Sequence, residues 1–343
     1  MLILYKVERL LFINLINKIK ESLNPAVLES LFLGFIISII LGIILIPVLH
    51  KLKFGQNIRE SGPKSHIKKA GIPTIGGLIF ILSVIISIKI VFFSTKINSE
   101  VRIVLLSFIL FGFIGFLDDI LKIIHKNNLG LKSGQKMILL LILSIPLSYY
   151  IYITTGASIH ISFTNTYVSL GSLYIPLVVI YFTGMTNAVN LTDGLDGLAT
   201  LITILVSIFF FIISYITGHI SLSIFCIILS GALLGFLVFN AYPAKVFMGD
   251  TGSLALGGAL SAIALLLKMP LLLFIVGGIY IIETLSVILQ VASYKLRGKR
   301  IFKMAPIHHH FEFKWSEVKI VAIFSIITII FCGIGFVSIL SIV

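Results

Sequence analysis

A succession of apolar stretches, each about 20 residues long and separated by short polar segments, most constrains what this chain can fold into. A stretch of that length crosses the hydrocarbon core of a bilayer as a helix, because only a helix satisfies its own backbone hydrogen bonds in lipid. About ten such stretches follow from the pattern: 25–50, 73–94, 102–117, 137–153, 173–189, 197–217, a seventh ending near 240, 253–268, 271–293 and 319–342. With 58% of residues hydrophobic, the chain is expected to be a single all-α integral membrane domain over 1–343. Cys226 and Cys332 both fall inside apolar runs and read as small packing residues, not a disulfide or a metal site.

Charge orients the spans. The formal net charge is +13, and Lys and Arg concentrate in 51–72, 118–136 and 294–318. The positive-inside bias makes these loops cytoplasmic, together with 190–197 and 241–252, and puts both termini outside. The excess charge suits anionic lipid and phosphorylated substrates, and no nucleic-acid partner is expected. Residues 1–23 mix apolar residues with Lys6, Arg9, Lys18 and Lys20 and lack a small-residue cleavage site. They read as an amphipathic segment lying on the membrane surface, not a cleaved signal. Residues 154–172 carry no Lys or Arg, and the partial alternation in 158–170 predicts a small extracytoplasmic β-hairpin.

Acidic residues are sparse, and their placement carries the chemistry. Asp occurs only at 118, 119, 193, 196 and 250, every one on the expected cytoplasmic side. An Asp at the centre of a spanning helix costs roughly 2.5–3.5 kcal/mol on insertion scales, so these groups belong at a boundary or in a hydrated cavity. The stretch from Asn187 to Ala199 holds Asn190, Asp193 and Asp196 with Gly194 and Gly197. If Asp193 and Asp196 occupy the first turn of the next helix, they share one face; a plain polar turn is the alternative. Asp250 sits in a Gly-Asp-Thr-Gly turn ahead of an apolar run, where it either caps that helix or holds a cation. Asp118 and Asp119 point about 100° apart if helical, with Lys122 one turn on. One of them is expected to act as a base and the other to orient Lys122 or a metal shell; spacing does not choose between them. Separated carboxylates beside basic loops suit Mg²⁺ and phosphate chemistry. The triplet His308, His309 and His310 lacks the spacing of a helix-face zinc site and reads as donors to a diphosphate, or as a polar turn.

Five stretches together resemble the phospho-N-acetylmuramoyl-pentapeptide transferases of the polyprenyl-phosphate N-acetylhexosamine-1-phosphate transferase superfamily. They are Phe54 to Gly77, Gly115 to Lys122, Asn187 to Ala199, Phe247 to Gly258 and Pro306 to Glu312. The similarity runs from about residue 45 to the end, and the three histidines after Ala305-Pro306 point to the muramoyl-pentapeptide branch. The resemblance implies Mg²⁺-dependent transfer from UDP-N-acetylmuramoyl-pentapeptide to undecaprenyl phosphate at the cytoplasmic face of the bacterial inner membrane, giving lipid I and UMP in peptidoglycan synthesis. It also admits a homodimer. Carried over by position, Asp118 and Asp119 match the pair acting on the lipid phosphate, and Asp250 matches the magnesium ligand. Lys69, Thr74, Asn190, Asp193 and Asp196 match the nucleotide-sugar pocket. Asn240 and Phe247 match positions near the nucleoside, and Gln290 with His308 to His310 the far wall. Ile72 and Thr251 depart from common family residues, and neither is expected to touch the chemistry.

Two rivals are weighed against this reading. A sister transferase would use an N-acetylglucosamine-1-phosphate donor. A cation-coupled transporter would place its carboxylates at mid-membrane depth in broken helices, whereas these stand at span ends.

Overall fold

The computed structural model describes residues 20–52, 71–125 and 130–340. Asn24 starts the first helix, α1 (Pro25–Lys51), by accepting from the Val27 amide, with Pro25 pre-set in its first turn. It is followed by α2 (Gly77–Val91) and α3 (Ser99–Ile124), the latter capped by Asn98 through Val101 N. Helix α4 (Ser133–Thr155) leads to the antiparallel strands β1 (Ser158–Ile161) and β2 (Thr166–Ser169). A short 3₁₀ turn then opens α5 (Tyr174–Thr192), and α6 (Leu198–Ile216) and α7 (Ile220–Asn240) follow. The chain continues through α8 (Gly249–Leu266), α9 (Pro270–Val276), α10 (Gly278–Arg297), α11 (Ile307–Phe311) and α12 (Glu317–Ile339).

The fold is therefore all-α and multi-pass, as the apolar pattern predicts. Among the described residues nine helices are long and apolar enough to cross a membrane. The expected span 73–94 is the shorter one: only 15 of its residues are helical, as α2. Its first part is irregular instead, with Ile75 at a left-handed φ of +67°. Phe247 N donates to Pro73 O, Gly76 N to Phe247 O and Gly77 N to Met248 O, which keeps 73–76 out of the helix to build the wall of a site. The expected span 271–293 is interrupted at Gly277, between α9 and α10.

Helix α8 is the axis of the bundle, 89% buried over its spanning window and packed on α3, α5 and α2. In lipid, helices gain little from hydrophobic exclusion and associate by close packing of small residues. Two contacts show this. A Cβ at Gly115 of α3 would lie 2.0 Å from Asp250 O, and one at Gly257 of α8 would lie 2.5 Å from Thr186 Cα of α5. The outer faces of α1, α4, α10 and α12 expose large apolar residues such as Ile43, Ile142, Ile288 and Ile329, the surface lipid covers.

The predicted hairpin is present, its register pairing Ser158 with Ser169 and Ile161 with Thr166. His160 N donates to Lys268 O, just past α8, and Phe163 N to Ser338 O in the last turn of α12. The hairpin thus sits at the end of α8 opposite Asp250.

Candidate active site

Helix α3 does not stop where its apolar run ends. It continues through Asp118 and Asp119 to Ile124, so the pair expected at the start of a loop lies inside the helix, both residues buried. Backbone hydrogen bonding carries on past the point where hydropathy falls, one to two turns beyond the expected boundary.

The two carboxylates share Lys122, whose Nζ lies 3.6 Å from Asp119 Oδ1, and otherwise face different partners. Asp119 Oδ1 accepts from Asp250 N at 3.2 Å, and its Oδ2 accepts from Thr251 N at 2.9 Å and Thr251 Oγ1 at 2.7 Å. The residue before α8, Met248, supplies no side-chain cap, so Asp119 caps that helix from a neighbouring one. Asp118 Oδ1 accepts from Leu131 N at 2.8 Å, and its Oδ2 lies 2.6 Å from Lys122 Nζ.

Gly249 makes the approach to the cap. Its φ of +67° is left-handed, and a Cβ there would fall 2.5 Å from Asp119 Oδ2 and 2.6 Å from Thr74 Oγ1. The next residue, Asp250, enters the first turn of α8. Asp250 Oδ2 takes Lys122 Nζ at 2.9 Å and Lys136 Nζ at 2.8 Å, while Oδ1 accepts from Asn190 Nδ2 at 2.7 Å. Asn190 Nδ2 also donates to Ser253 Oγ, and Lys136 reaches Asn190 Oδ1 at 3.5 Å.

One carboxylate oxygen from each of Asp118, Asp119 and Asp250 lies within 4.8 Å of the others. Hard oxygen donors at this spacing fit a divalent cation, and the Lys122 ammonium reaching all three, with Lys136 on Asp250, shows that the cluster draws positive charge. The cluster could therefore bind a metal ion.

Asp193 and Asp196 are not in the first turn of α6. They precede it, in the connector from Thr192 to Gly197, so the shared helical face does not apply. Burial, with the carboxylates of Asp250, Asp119 and Asp196, pushes the Asp193 carboxyl well above its usual range. Asp196 Oδ2 accepts from Ala244 N and ties this turn to the 241–248 loop. Asn240 is buried; it accepts from Thr200 Oγ1 and donates to Val246 O, so it shapes the loop that presents the half-exposed Phe247. Thr74 is buried beside Gly249. Lys69 lies outside the described residues, as do most of 1–23 and of 51–72.

Gln290 Oε1 accepts from Ile301 N and Phe302 N, and its Nε2 donates to Phe302 O, folding the 298–306 loop back onto α10. His310 Nδ1 accepts from Lys303 N, so its Nε2 carries the proton. His309 pairs with Glu312. His308 is wholly buried, its Nε2 pressed against Gly194. The His308 and His309 rings meet edge to face with centroids 4.1 Å apart, while the His310 ring turns to Phe302. A Cβ at Gly194 would lie 2.1 Å from that nitrogen, and the buried ring has no room to yield. Gly194→Ala is expected to cost about 1–3 kcal/mol by overpacking, read as a lowered thermal midpoint in detergent; an unchanged midpoint would refute the contact.

Three contributors are not singled out by the sequence reading. Lys136 is one of several basic residues in its stretch, although its position in the first turn of an apolar helix sets it apart. Ser253 reads only as a cap. Thr251, expected to stay clear of the chemistry, instead holds Asp119 through both its N–H and its hydroxyl.

Residues 101–268 match the model of the glycosyl transferase family 4. The chain is similar to the phospho-N-acetylmuramoyl-pentapeptide-transferase of Clostridium botulinum (strain Eklund 17B / Type B), 62% identical over 323 residues, 94% of this chain and 99% of the relative. The protein of that name from Clostridium perfringens (strain ATCC 13124) is 64% identical over 321 residues, 93% and 99% of the two chains. That from Clostridium beijerinckii is 60% identical over 319 residues, 92% and 97%.

Proposed function

Since the chain belongs to the phospho-N-acetylmuramoyl-pentapeptide-transferase family, we propose that it transfers phospho-N-acetylmuramoyl-pentapeptide from its UDP-activated donor to undecaprenyl phosphate. An oxygen of the lipid phosphate attacks the sugar-bearing phosphorus of the donor. The diphosphate P–O bond breaks, and UMP leaves as lipid I forms. The reaction is the first membrane step of peptidoglycan synthesis, at the cytoplasmic face of the bacterial cytoplasmic (inner) membrane.

The observation that carries this reading is the junction of three carboxylates and two lysines at one end of a lipid-embedded bundle. A polyprenyl tail gains about 0.8 kcal/mol per buried CH₂, which confines its phosphate to the interface. A nucleotide donor arrives from water. Their meeting place is a boundary site with cations for phosphate and acceptors for a metal. Mg²⁺, held by Asp250 with Asp118 beside it, would neutralise charge on the leaving diphosphate. Lys122 and Lys136 bind phosphate oxygens, and Asn190, itself anchored on Ser253 Oγ, holds the Asp250 carboxylate in place. Asp118 is the member of the pair left to act on the lipid phosphate, because Asp119 is committed to α8. Asp193 and Phe247 face the nucleotide-sugar side, with Asp196, Asn240 and Gln290 shaping the loops around it.

Donor competition tests the assignment. Given undecaprenyl phosphate and both UDP-N-acetylmuramoyl-pentapeptide and UDP-N-acetylglucosamine, the purified protein is expected to form only the muramoyl product. A N-acetylglucosaminyl product would favour the sister activity. The orientation has its own test. A cysteine at Asn165, in the hairpin far from Asp250, is expected to react with an impermeant thiol reagent from outside intact cells; labelling only after the membrane is opened would invert the topology.

A further inference from the structure

Glu283 stands on α10, one and a half turns from its start, and is fully buried in a helix long and apolar enough to span the membrane. An ionisable group there is costly unless another group holds it. What holds it is His308. The imidazole Nδ1 lies 3.1 Å from Glu283 Oε1, in ion-pair range but off the line of a hydrogen bond, and the His308 backbone N–H reaches Oε2 at 3.5 Å. One carboxylate thus grips both the main chain and the side chain of a single residue.

The helix so gripped cannot hold itself. At five residues, α11 is far below the roughly 12–15 residues at which an isolated helix becomes even marginal. Its position depends on its attachments. Gln290 fixes the loop before it, and Phe311 stacks on Trp315 after it. Glu283 is the attachment directed at His308, which is also fully buried. The other ring nitrogen, Nε2, has no hydrogen-bond partner and abuts Gly194, in the connector that follows the last turn of α5 and its Asn190. Asn190 in turn donates to Asp250. A contact chain therefore runs from Glu283 through His308 and Gly194 to the acidic cluster.

We infer that Glu283 is a positioning residue: it fixes the His308 imidazole against Gly194 in the connector after α5, and so sets where the last turn of α5 holds Asn190 and where the connector holds Asp193. The inference rests on the transfer reaction proposed above. A displacement of about 1 Å at reacting groups costs on the order of a hundredfold in rate. Glu283→Gln keeps the shape but withdraws the charge. It is expected to lower kcat about tenfold or more, per folded molecule, with KM for the lipid phosphate within about twofold. His308→Gln should do the same. The double variant should lose no more than about twofold beyond the worse single, because both substitutions break one linkage. Glu283→Asp, one methylene short, should not rescue.

Losses that multiply in the double variant, full activity in Glu283→Asp, or unchanged kcat per folded molecule in Glu283→Gln would each overturn the inference. A second readout needs neither turnover nor a variant. With Nδ1 3.1 Å from a carboxylate oxygen, the inference predicts a proton on that nitrogen in ¹⁵N-histidine spectra of the wild-type protein; an unprotonated Nδ1 overturns it even if every variant fails to fold. A wild-type protein that releases no UMP would instead sink the proposed reaction and leave this spectroscopic test standing.

Discussion

Asp250→Asn is expected to lower turnover at least about a thousandfold, the scale on which preorganised charge stabilisation acts in phosphoryl transfer. The substitution is nearly isosteric, so the loss comes from charge. Asp250 Oδ2 gathers Lys122 and Lys136, while Oδ1 meets Asn190. An amide would point an NH₂ group either at two ammonium groups or at the Asn190 donor, and would remove a carboxylate from the metal-binding set. Lowering magnesium with a chelator should cost the wild type as much and the variant little further. Near-normal turnover with unchanged magnesium dependence would remove Asp250 from the chemistry.

The adjacent pair carries the second large effect, and the two residues should fail differently. Asp119 receives three hydrogen bonds from the start of α8, two of them from backbone N–H groups. Loss of a helix cap costs about 0.5–2 kcal/mol, and loss of a negative charge at a helix N-terminus about 0.3–1 kcal/mol more. Asp119→Asn should therefore lower the unfolding midpoint and, by shifting Asp250, the turnover as well. Asp118 meets Lys122, a single loop amide and the Asp250 side chain, and takes no backbone N–H from a helix start. Asp118→Asn should cut kcat by about a hundredfold or more, the range of general acid–base and charge effects, with little change in the midpoint. Equal losses of activity and of stability in the two variants would mean that the division of roles is wrong. Thr251→Val, which deletes one of Asp119's three donors, should reproduce the Asp119 behaviour in weaker form.

Much of this arrangement is legible in the sequence, for physical reasons that also mark where legibility ends. Apolar run length fixes the spans, since lipid leaves few alternatives to a helix of that length. The scarcity of Asp in an apolar chain singles out residues that all prove to lie around one end of α8. Lys122 follows from helix spacing, and the hairpin from alternation. Boundaries governed by long-range contacts do not follow. Pro73 to Gly76 stays outside the helix because this stretch and the start of α2 pair with Phe247 and Met248, some 170 residues away, and no local signal encodes that. The cap on α8 likewise comes from Asp119, far off in the chain, while the residue before the helix is Met248. Lys136 is recognisable only once α4 is seen to start beside Asp250. For Glu283 the signal does exist: a lone acidic residue inside an apolar run is the pattern that marks function in a membrane.

The account's central claim is that one end of this bundle joins a soluble nucleotide donor to a lipid phosphate through the Asp250 cluster. The most direct test is UMP release by the purified protein with UDP-N-acetylmuramoyl-pentapeptide and undecaprenyl phosphate, with and without Mg²⁺. The account predicts UMP in step with lipid I when both substrates and the ion are present, and neither when any one of them is omitted. UMP release that needs no lipid acceptor, or that persists undiminished after chelation, would contradict it.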